Sequence, residues 1–151
     1  FLENNSDFRV ERGFALKFYH TPGYSKGTVS VYFPQEKVLF ASSLFLTENS
    51  IPDYENYFDL KKSLNYLKNV PEVEKIVSSH AKPALSSEQI SKLYLKTEAY
   101  LNQIDASVKK HYPSHAESNL EHCKAVVKEL GMPSFFAQPT VHQAFLSHLN
   151  L

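Results

Sequence analysis

The segment FYHTPGYSKGT, residues 18–28, joins two stretches of sequence that have the period-two pattern of β-strands. Large apolar residues occupy alternate positions on both sides of it, namely Phe14, Leu16 and Phe18 before the loop and Val29, Val31 and Phe33 after it. Pro22 fixes its own φ angle, and Gly23 and Gly27 allow backbone conformations that other residues avoid. The segment is therefore predicted to be a tight loop between two antiparallel strands.

Further β-structure is predicted on the C-terminal side of this loop. Residues 34–37 (PQEK) form a polar turn, and residues 38–40 (VLF) are a short apolar run of the kind found in buried strands. Residues 73–79 contain another short strand, centred on Ile76 and Val77. The strands before residue 41 lie in the N-terminal third of the chain, and this third is expected to form a meander of antiparallel strands.

Helices are predicted between and after these strands from capping residues and apolar spacing. Asp59 is the expected N-cap of a helix that ends near Asn69, with Leu60, Leu64 and Leu67 on one face. Three later helices are expected to begin at capping-box pairs. These pairs are Ser86 with Gln89 (a helix that reaches Lys110), Ser114 with Glu117 (a helix that ends at Gly131 and Pro133) and Thr140 with Gln143. Strands followed by helices predict an α+β or layered αβ fold.

Three pieces of the sequence, in this order, resemble the C-terminal half of a metallo-β-lactamase-fold hydrolase: residues 18–28, 38–44 (VLFASSL) and 76–83 (IVSSHAKP). In that family this half carries a His-Thr-Pro-Gly-His-Ser/Thr-x-Gly loop, a Gly-Asp pair and a Gly-His turn, with strands between them. The resemblance implies one half of an αββα sandwich, an antiparallel meander plus helices. Residues 1–84 would form that half, and residues 85–151 would be a C-terminal helical extension.

The resemblance also implies where a metal site would lie. In the family the second His of the loop binds one metal ion, the Asp bridges two, and the His of the turn binds the second. The metals lower the pKa of bound water to about 7. Tyr24, Ser43 and His80 occupy these positions here. A phenol with a pKa near 10 is a poor ligand at neutral pH, and a hydroxyl brings no charge to hold two cations together. His80 alone keeps the family's ligand type.

Two functional hypotheses follow from this pattern. The family's other ligands lie in a His-x-His-x-Asp-His stretch of its N-terminal half, and no His-x-His occurs in these 151 residues. The first hypothesis is a degenerate, non-catalytic domain that serves as a binding or assembly module and holds no cofactor. The alternative is the C-terminal part of a metal-dependent hydrolase of ester, thioester or lactone bonds. In that case His80 and an N-terminal half would bind at most one zinc, iron or manganese ion.

A partner is expected under either hypothesis. A half-sandwich leaves the inner face of its sheet uncovered, and an apolar face of that size is unusual on a monomer. We therefore expect either an N-terminal half of the fold on another chain or a second copy of this one. A sequence that begins with Phe1 rather than Met is also expected of an excised, processed or truncated piece.

Composition restricts the remaining functional classes. Sixteen basic and sixteen acidic residues cancel, so no general surface for nucleic acid or anionic lipid is expected. No apolar run approaches the ~20 residues that span a bilayer. The single cysteine, Cys123, excludes an intrachain disulfide and, with no signal-peptide pattern in the sequence, favours the cytoplasm.

The other chemically interesting residues are interpreted as structural. Cys123 is expected to be a buried or half-buried helical thiol, and Tyr94 and Tyr100 are expected to pack in the interior. Surface or packing roles are assigned to five other histidines and to one basic pair. These are His111 and His115, which Pro113 separates; His115 and His122, which lack a third ligand; His142 and His148; and Lys109 with Lys110.

Overall fold

The computed structural model describes residues 6–10, 14–48 and 50–149. Within these ranges the chain forms a five-stranded sheet and four α-helices. The strands are β1 (Ser6–Val10), β2 (Phe14–His20), β3 (Val29–Phe33), β4 (Val38–Phe40) and β5 (Lys75–Val77). The helices are α1 (Tyr57–Lys68), α2 (Ser87–His111), α3 (Leu120–Glu129) and α4 (Pro139–Leu146), with a 3₁₀ turn at Ser134–Phe136.

The strands lie in the sheet in their chain order, β1-β2-β3-β4-β5. The first four are antiparallel neighbours, which confirms the predicted meander for β2, β3 and β4 and adds β1, for which no strand is predicted from the sequence. β5 pairs parallel to β4, because the α1 crossover returns the chain to the same end of the sheet. β2, β4 and β5 therefore run in one direction, and their C-terminal ends lie at the same edge. The loops that leave this edge are the ones that carry the predicted site residues.

One face of the sheet is buried against the helices. Tyr19, Tyr32, Leu39 and Ile76 point to this face, and each is at most 7% exposed. The ring of Tyr19 meets that of Tyr66 on α1 edge-on, with 5.7 Å between the centroids. The helical layer therefore covers this side, as expected for a layered αβ fold.

The opposite face, called the open sheet face below, is also apolar. The register aligns Phe18, Val31, Phe40 and Val77 in one row across four strands. The rings of Phe33 and Phe40 contact each other edge-on at 5.7 Å, and Phe40 remains 43% exposed. The full set of partly exposed apolar residues on this face is Leu16, Phe18, Val29, Val31, Phe33, Val38, Phe40 and Val77. Strands that are apolar on both sides are typical of a sheet enclosed between two layers.

Helix α1 begins earlier than the sequence predicted. Its N-cap is Asn56, whose side-chain oxygen accepts from the Asp59 amide at 2.9 Å. Asp59 was the wrong choice because it lies in the first turn, where its carboxylate complements the positive end of the helix. The predicted apolar face is confirmed, since Leu60, Leu64 and Leu67 are all buried. The predicted end is confirmed by Asn69, which is the C-cap.

The predicted start of α2 is confirmed, with one difference in its cap. Ser86 is the N-cap and accepts from the Gln89 amide, but the Gln89 side chain accepts from the Leu85 amide instead of closing a reciprocal box. The helix ends at His111, one residue beyond Lys110.

The predicted starts of the last two helices are wrong. Ser114 and Glu117 do bond to each other, but they close only a turn, and α3 begins later behind Asn119, which forms a capping box with His122. Thr140 lies inside α4, whose N-cap is Gln138 and whose first residue is Pro139. Proline fits this first position because its missing N–H would have no intrahelical partner there.

The C-terminal helices share one apolar core with the sheet. Buried residues of α2, α3 and α4 join the cluster that contains Leu39 and Ile76; they include Leu101, Ile104, Val126 and Phe145. The boundary between residues 84 and 85 stays a prediction. Across the described ranges, none of the helices combines the length and the apolar character that crossing a bilayer requires.

Candidate functional site

The three predicted site residues lie on loops at one edge of the sheet. Tyr24 follows β2, Ser43 follows β4 and His80 follows β5. The rings of Tyr24 and His80 are neighbours, with 5.5 Å between their centroids and 33° between their planes. The loops after β4 and β5 are also joined, because the Ser42 carbonyl accepts from the Ser79 amide at 2.9 Å.

The Tyr24 phenol is engaged by a carboxylate from outside the predicted motif. The Asp53 carboxylate interacts with its hydroxyl. Burial, and then the Asp53 hydrogen bond and charge, raise the pKa of Tyr24 to about 12. The phenol is therefore protonated at neutral pH.

The Tyr24 loop is fastened to the segment that precedes α1. The Gly23 carbonyl accepts from the amides of Glu55 at 3.0 Å and Asn56 at 2.9 Å. In return the Lys26 amide donates to the Glu55 carboxylate at 2.8 Å. Because Asp53 belongs to the same segment, residues 53–57 determine both the loop's position and the partner of its phenol.

Close contact with α1 explains the glycine at position 23. Gly23 has a φ of 132°, and a Cβ built on it would lie 2.3 Å from the backbone N and Cα of Leu60. The neighbouring Pro22 carbonyl accepts from the Ser63 hydroxyl at 2.6 Å. The loop thus rests directly on the first two turns of α1.

The loop after β4 has an unusual backbone conformation. It lacks the carboxylate that the family resemblance implies in this loop. Ser42 has a φ of 48°, in the left-handed region that favours glycine. Ser42 is exposed, and Ser43, which follows it, is partly buried. The Ser42 carbonyl also accepts from the Ser78 hydroxyl at 2.9 Å. The turn is therefore tied to the β5 loop by hydrogen bonds and contributes only neutral hydroxyl groups.

The residues at this edge do not fit the metal that the family resemblance implies. Tyr24 keeps its proton and faces Asp53, Ser43 is neutral, and His80 is an exposed imidazole. No group of three or more His, Cys, Asp or Glu side chains in the described ranges is placed to hold a metal ion. Such a donor set lacks the three protein ligands of a catalytic zinc shell.

Asp53 is not identified from the sequence, because residues 47–56 show no periodicity that would mark a structural element or a site there. The signal that could have drawn attention to them is the run Asp53-Tyr54-Glu55-Asn56 directly before a predicted helix. The local sequence is enough to predict a helix cap in this run. The contact between Asp53 and Tyr24 depends on the tertiary structure.

The residues interpreted as structural have structural partners. Cys123, Tyr94 and Tyr100 are buried, which confirms their predicted packing roles. His142 Nδ1 and the Tyr112 hydroxyl are hydrogen-bonded at 2.8 Å, and His111 bonds to Glu129. His122 caps α3, Lys109 pairs with Asp105 at 2.7 Å, and Lys110 pairs with Glu129 at 3.1 Å.

Comparison with known proteins identifies the fold. No protein-family model matches the sequence, and no curated protein matches it. Among solved structures, the chain is similar to a metallo-β-lactamase family protein from Thermus thermophilus, with 20% identity and a TM-score of 0.63. It is also similar to the stereoselective inverting sec-alkylsulfatase Pisa1 from Pseudomonas sp., with 13% identity and a TM-score of 0.63.

These matches differ in how much of each protein they include. The first covers 96% of this chain and 48% of the Thermus protein. The second covers 97% of this chain and 25% of the sulfatase. The chain therefore has a partial metallo-β-lactamase fold, which confirms the layered αβ prediction, and it spans about half the length of the first of these relatives.

Proposed function

We propose that this chain is a non-catalytic metallo-β-lactamase-like half-domain that serves as an assembly module. The observation that carries the proposal is the open sheet face, where partly exposed apolar residues run in register across four strands. The interaction of Tyr24 with the Asp53 carboxylate supports the non-catalytic part, because it engages the phenol whose ring lies next to that of His80.

The occupant that fits the open sheet face best is a second, complementary layer of sheet and helices. Apolar sheets pack face to face about 10 Å apart through interdigitating side chains, and each Å² of apolar surface removed from water stabilises the contact by about 25 cal/mol. Phe33 and Phe40 give this face the large side chains that such packing uses. The chain spans 48% of its Thermus relative, so a layer of comparable size is the natural complement.

Val31 is the best position at which to test docking, since it lies between Phe18 and Phe40 on the open sheet face. We expect Val31→Lys to release the partner layer, because a lysine there would be desolvated within an apolar interface. Native mass spectrometry of the untagged assembly should show a species heavier than 17.3 kDa for the wild type and the lone chain for the variant. Leu95→Lys is the matched control, since Leu95 is 65% exposed on α2.

Two outcomes of that experiment would contradict the complementary layer. A wild-type mass of twice 17.3 kDa would assign the open sheet face to a second copy of this chain. A lone chain in the wild type, or equal dissociation in Leu95→Lys, would show that the face does not dock a partner. Circular dichroism of both variants separates loss of docking from loss of folding.

The alternative function is the C-terminal part of a metal-dependent hydrolase. The observation that favours it is the convergence of the three loops at one sheet edge, with His80 exposed there. In that protein His80 would be the ligand supplied by this chain, and the missing ligands would come from the partner layer.

Metal analysis distinguishes the two functions. We expect the native, untagged assembly to contain no stoichiometric zinc, iron or manganese, because Tyr24 and Ser43 provide neither a neutral imidazole nor a bridging anion. The measurement is elemental analysis of the purified wild type, His80→Ala and the control His115→Ala, whose side chain is also exposed. Stoichiometric metal that is lost in His80→Ala and kept in His115→Ala would establish the hydrolase instead.

A further inference from the structure

His148, just after α4, is enclosed by three different parts of the chain. The residue is only 2% exposed. Its Nδ1 lies 3.0 Å from the Asp105 carboxylate on α2, and its Nε2 is hydrogen-bonded to the hydroxyl of the buried Tyr54. The ring also stacks on that of Tyr57 at the start of α1, with 3.9 Å between the centroids and 21° between the planes.

The partners of His148 fix its protonation pattern. An ionised carboxylate can only accept, so Nδ1 carries the proton and donates to Asp105. Nε2 is then the acceptor, and the Tyr54 hydroxyl donates to it. Protonation of Nε2 would turn this acceptor into a donor and force the Tyr54 oxygen to accept. The Tyr54 proton would then need another acceptor in a site where that side chain is 1% exposed.

The His148 contacts reach the candidate site through one short segment. Tyr54 and Tyr57 are both partners of His148, and the Tyr57 amide also donates to the Ser147 hydroxyl at 3.0 Å. The segment between them supplies the amides of Glu55 and Asn56 that hold the Gly23 carbonyl. The C-terminal helix, residues 53–57 and the Tyr24 loop are thus connected in series by hydrogen bonds.

We propose that His148 is a proton-operated latch, which when neutral fastens residues 53–57 to the C-terminal helix and when protonated releases them together with the Tyr24 loop. The latch would control the geometry at the loop edge whether that edge binds a partner or a metal, so it does not depend on the proposed assembly function. The device is a conformational one, built from a buried histidine whose Nε2 must be unprotonated to accept from Tyr54, whereas the Nδ1–H bond to Asp105 is possible in both forms.

Charges around His148 act in both directions. Burial is the largest effect, and it lowers the pKa of His148 to about 4 from an ordinary value of 6.5; Asp105 opposes this shift, while Lys109 and Lys61 add to it. The titratable and charged groups that face the site are Tyr54, Tyr57, Lys61, Tyr100, Asp105 and Lys109. His148 binds a proton less readily when residues 53–57 are fastened than when they are released. The fastened state is therefore stable above about pH 6.5, and it weakens as the pH falls toward 4.

Amide hydrogen exchange of the full chain tests the latch. We expect the protection of the Glu55 and Asn56 amides, corrected for intrinsic exchange, to fall about 50-fold between pH 7 and pH 4.5. The Ala41 amide, which donates to the Val77 carbonyl at 2.8 Å between neighbouring strands, should fall much less over the same range. In His148→Gln the fall at Glu55 and Asn56 should disappear, and in the control His142→Gln it should persist.

A measurement on the wild type keeps the latch testable if His148→Gln fails to fold. The imidazole signals of His148, followed by NMR, should titrate well below the ordinary pKa of histidine and in parallel with the loss of Glu55 protection. The latch is excluded if His148 titrates without any change at Glu55. It is also excluded if the Glu55 and Ala41 amides lose protection equally, because that pattern means global unfolding.

Discussion

Gly23→Ala is expected to destabilise the protein by about 4 kcal/mol, through a forbidden backbone angle and a steric clash that act together. The φ of 132° at Gly23 is one that residues with a Cβ rarely adopt, and the added carbon would lie 2.3 Å from the Leu60 backbone. Relief would require either the loop or α1 to move, and the Gly23 carbonyl is already bonded to Glu55 and Asn56. Urea denaturation followed by far-UV circular dichroism measures the loss.

The same loop offers a matched control in Gly27. A Cβ at that position would meet no atom within 4 Å. We expect Gly27→Ala to change the free energy of unfolding by no more than about 0.5 kcal/mol, since no contact is gained or lost. Equal stability of the two variants would contradict the close approach of the Tyr24 loop to α1.

Strands β2 to β5 were predictable from the sequence because their signals are local. Alternation at Phe14, Leu16 and Phe18 marks one strand directly, and the apolar run at residues 38–40 marks another. The proximity of Tyr24 and His80 needs more than local information, because it depends on β2 and β5 running in the same direction. The open sheet face required only the register of these strands.

The helix starts were less predictable because several residues near each start can act as caps. Asn56 and Asp59 both have side chains that can cap a helix. Asn56 is the N-cap in the structure, and its amide also donates to the Gly23 carbonyl, a long-range contact that the local sequence does not show. Ser114 and Glu117 satisfied each other within a turn, so their pairing did not extend into a helix.

The partners of the site could not be predicted because they come from distant parts of the chain. Tyr54 and His148 are 94 residues apart, and the terminal helix that precedes His148 gives no indication of where it packs. Asp53 lies in a segment without periodicity, so its bond to Tyr24 required the tertiary structure. The sequence thus indicated the loops at this edge, while the structure identified the distant residues that contact them.

Phe145→Ala is expected to destabilise the protein by about 4 kcal/mol, because it removes a fully buried ring from the point where the terminal helix enters the core. Phe145 is 0% exposed, and its ring meets that of Tyr112 edge-on with 6.2 Å between the centroids. The buried residues of α4 and those of the sheet belong to one apolar cluster. The loss should therefore appear as one cooperative transition, with far-UV circular dichroism and tyrosine fluorescence changing together during urea denaturation.

The control and the shape of the transition decide what the Phe145 result means. Phe135→Ala removes the same ring from a site that is 66% exposed, so it should cost less than about 1 kcal/mol. If residues 85–151 instead formed a separately stable unit, Phe145→Ala would unfold the helices first and leave the sheet signal intact. Two separate transitions would support the predicted boundary between residues 84 and 85. A single one would show that the half-sandwich requires its C-terminal helices to remain folded, so that a partner on the open sheet face docks onto the whole chain.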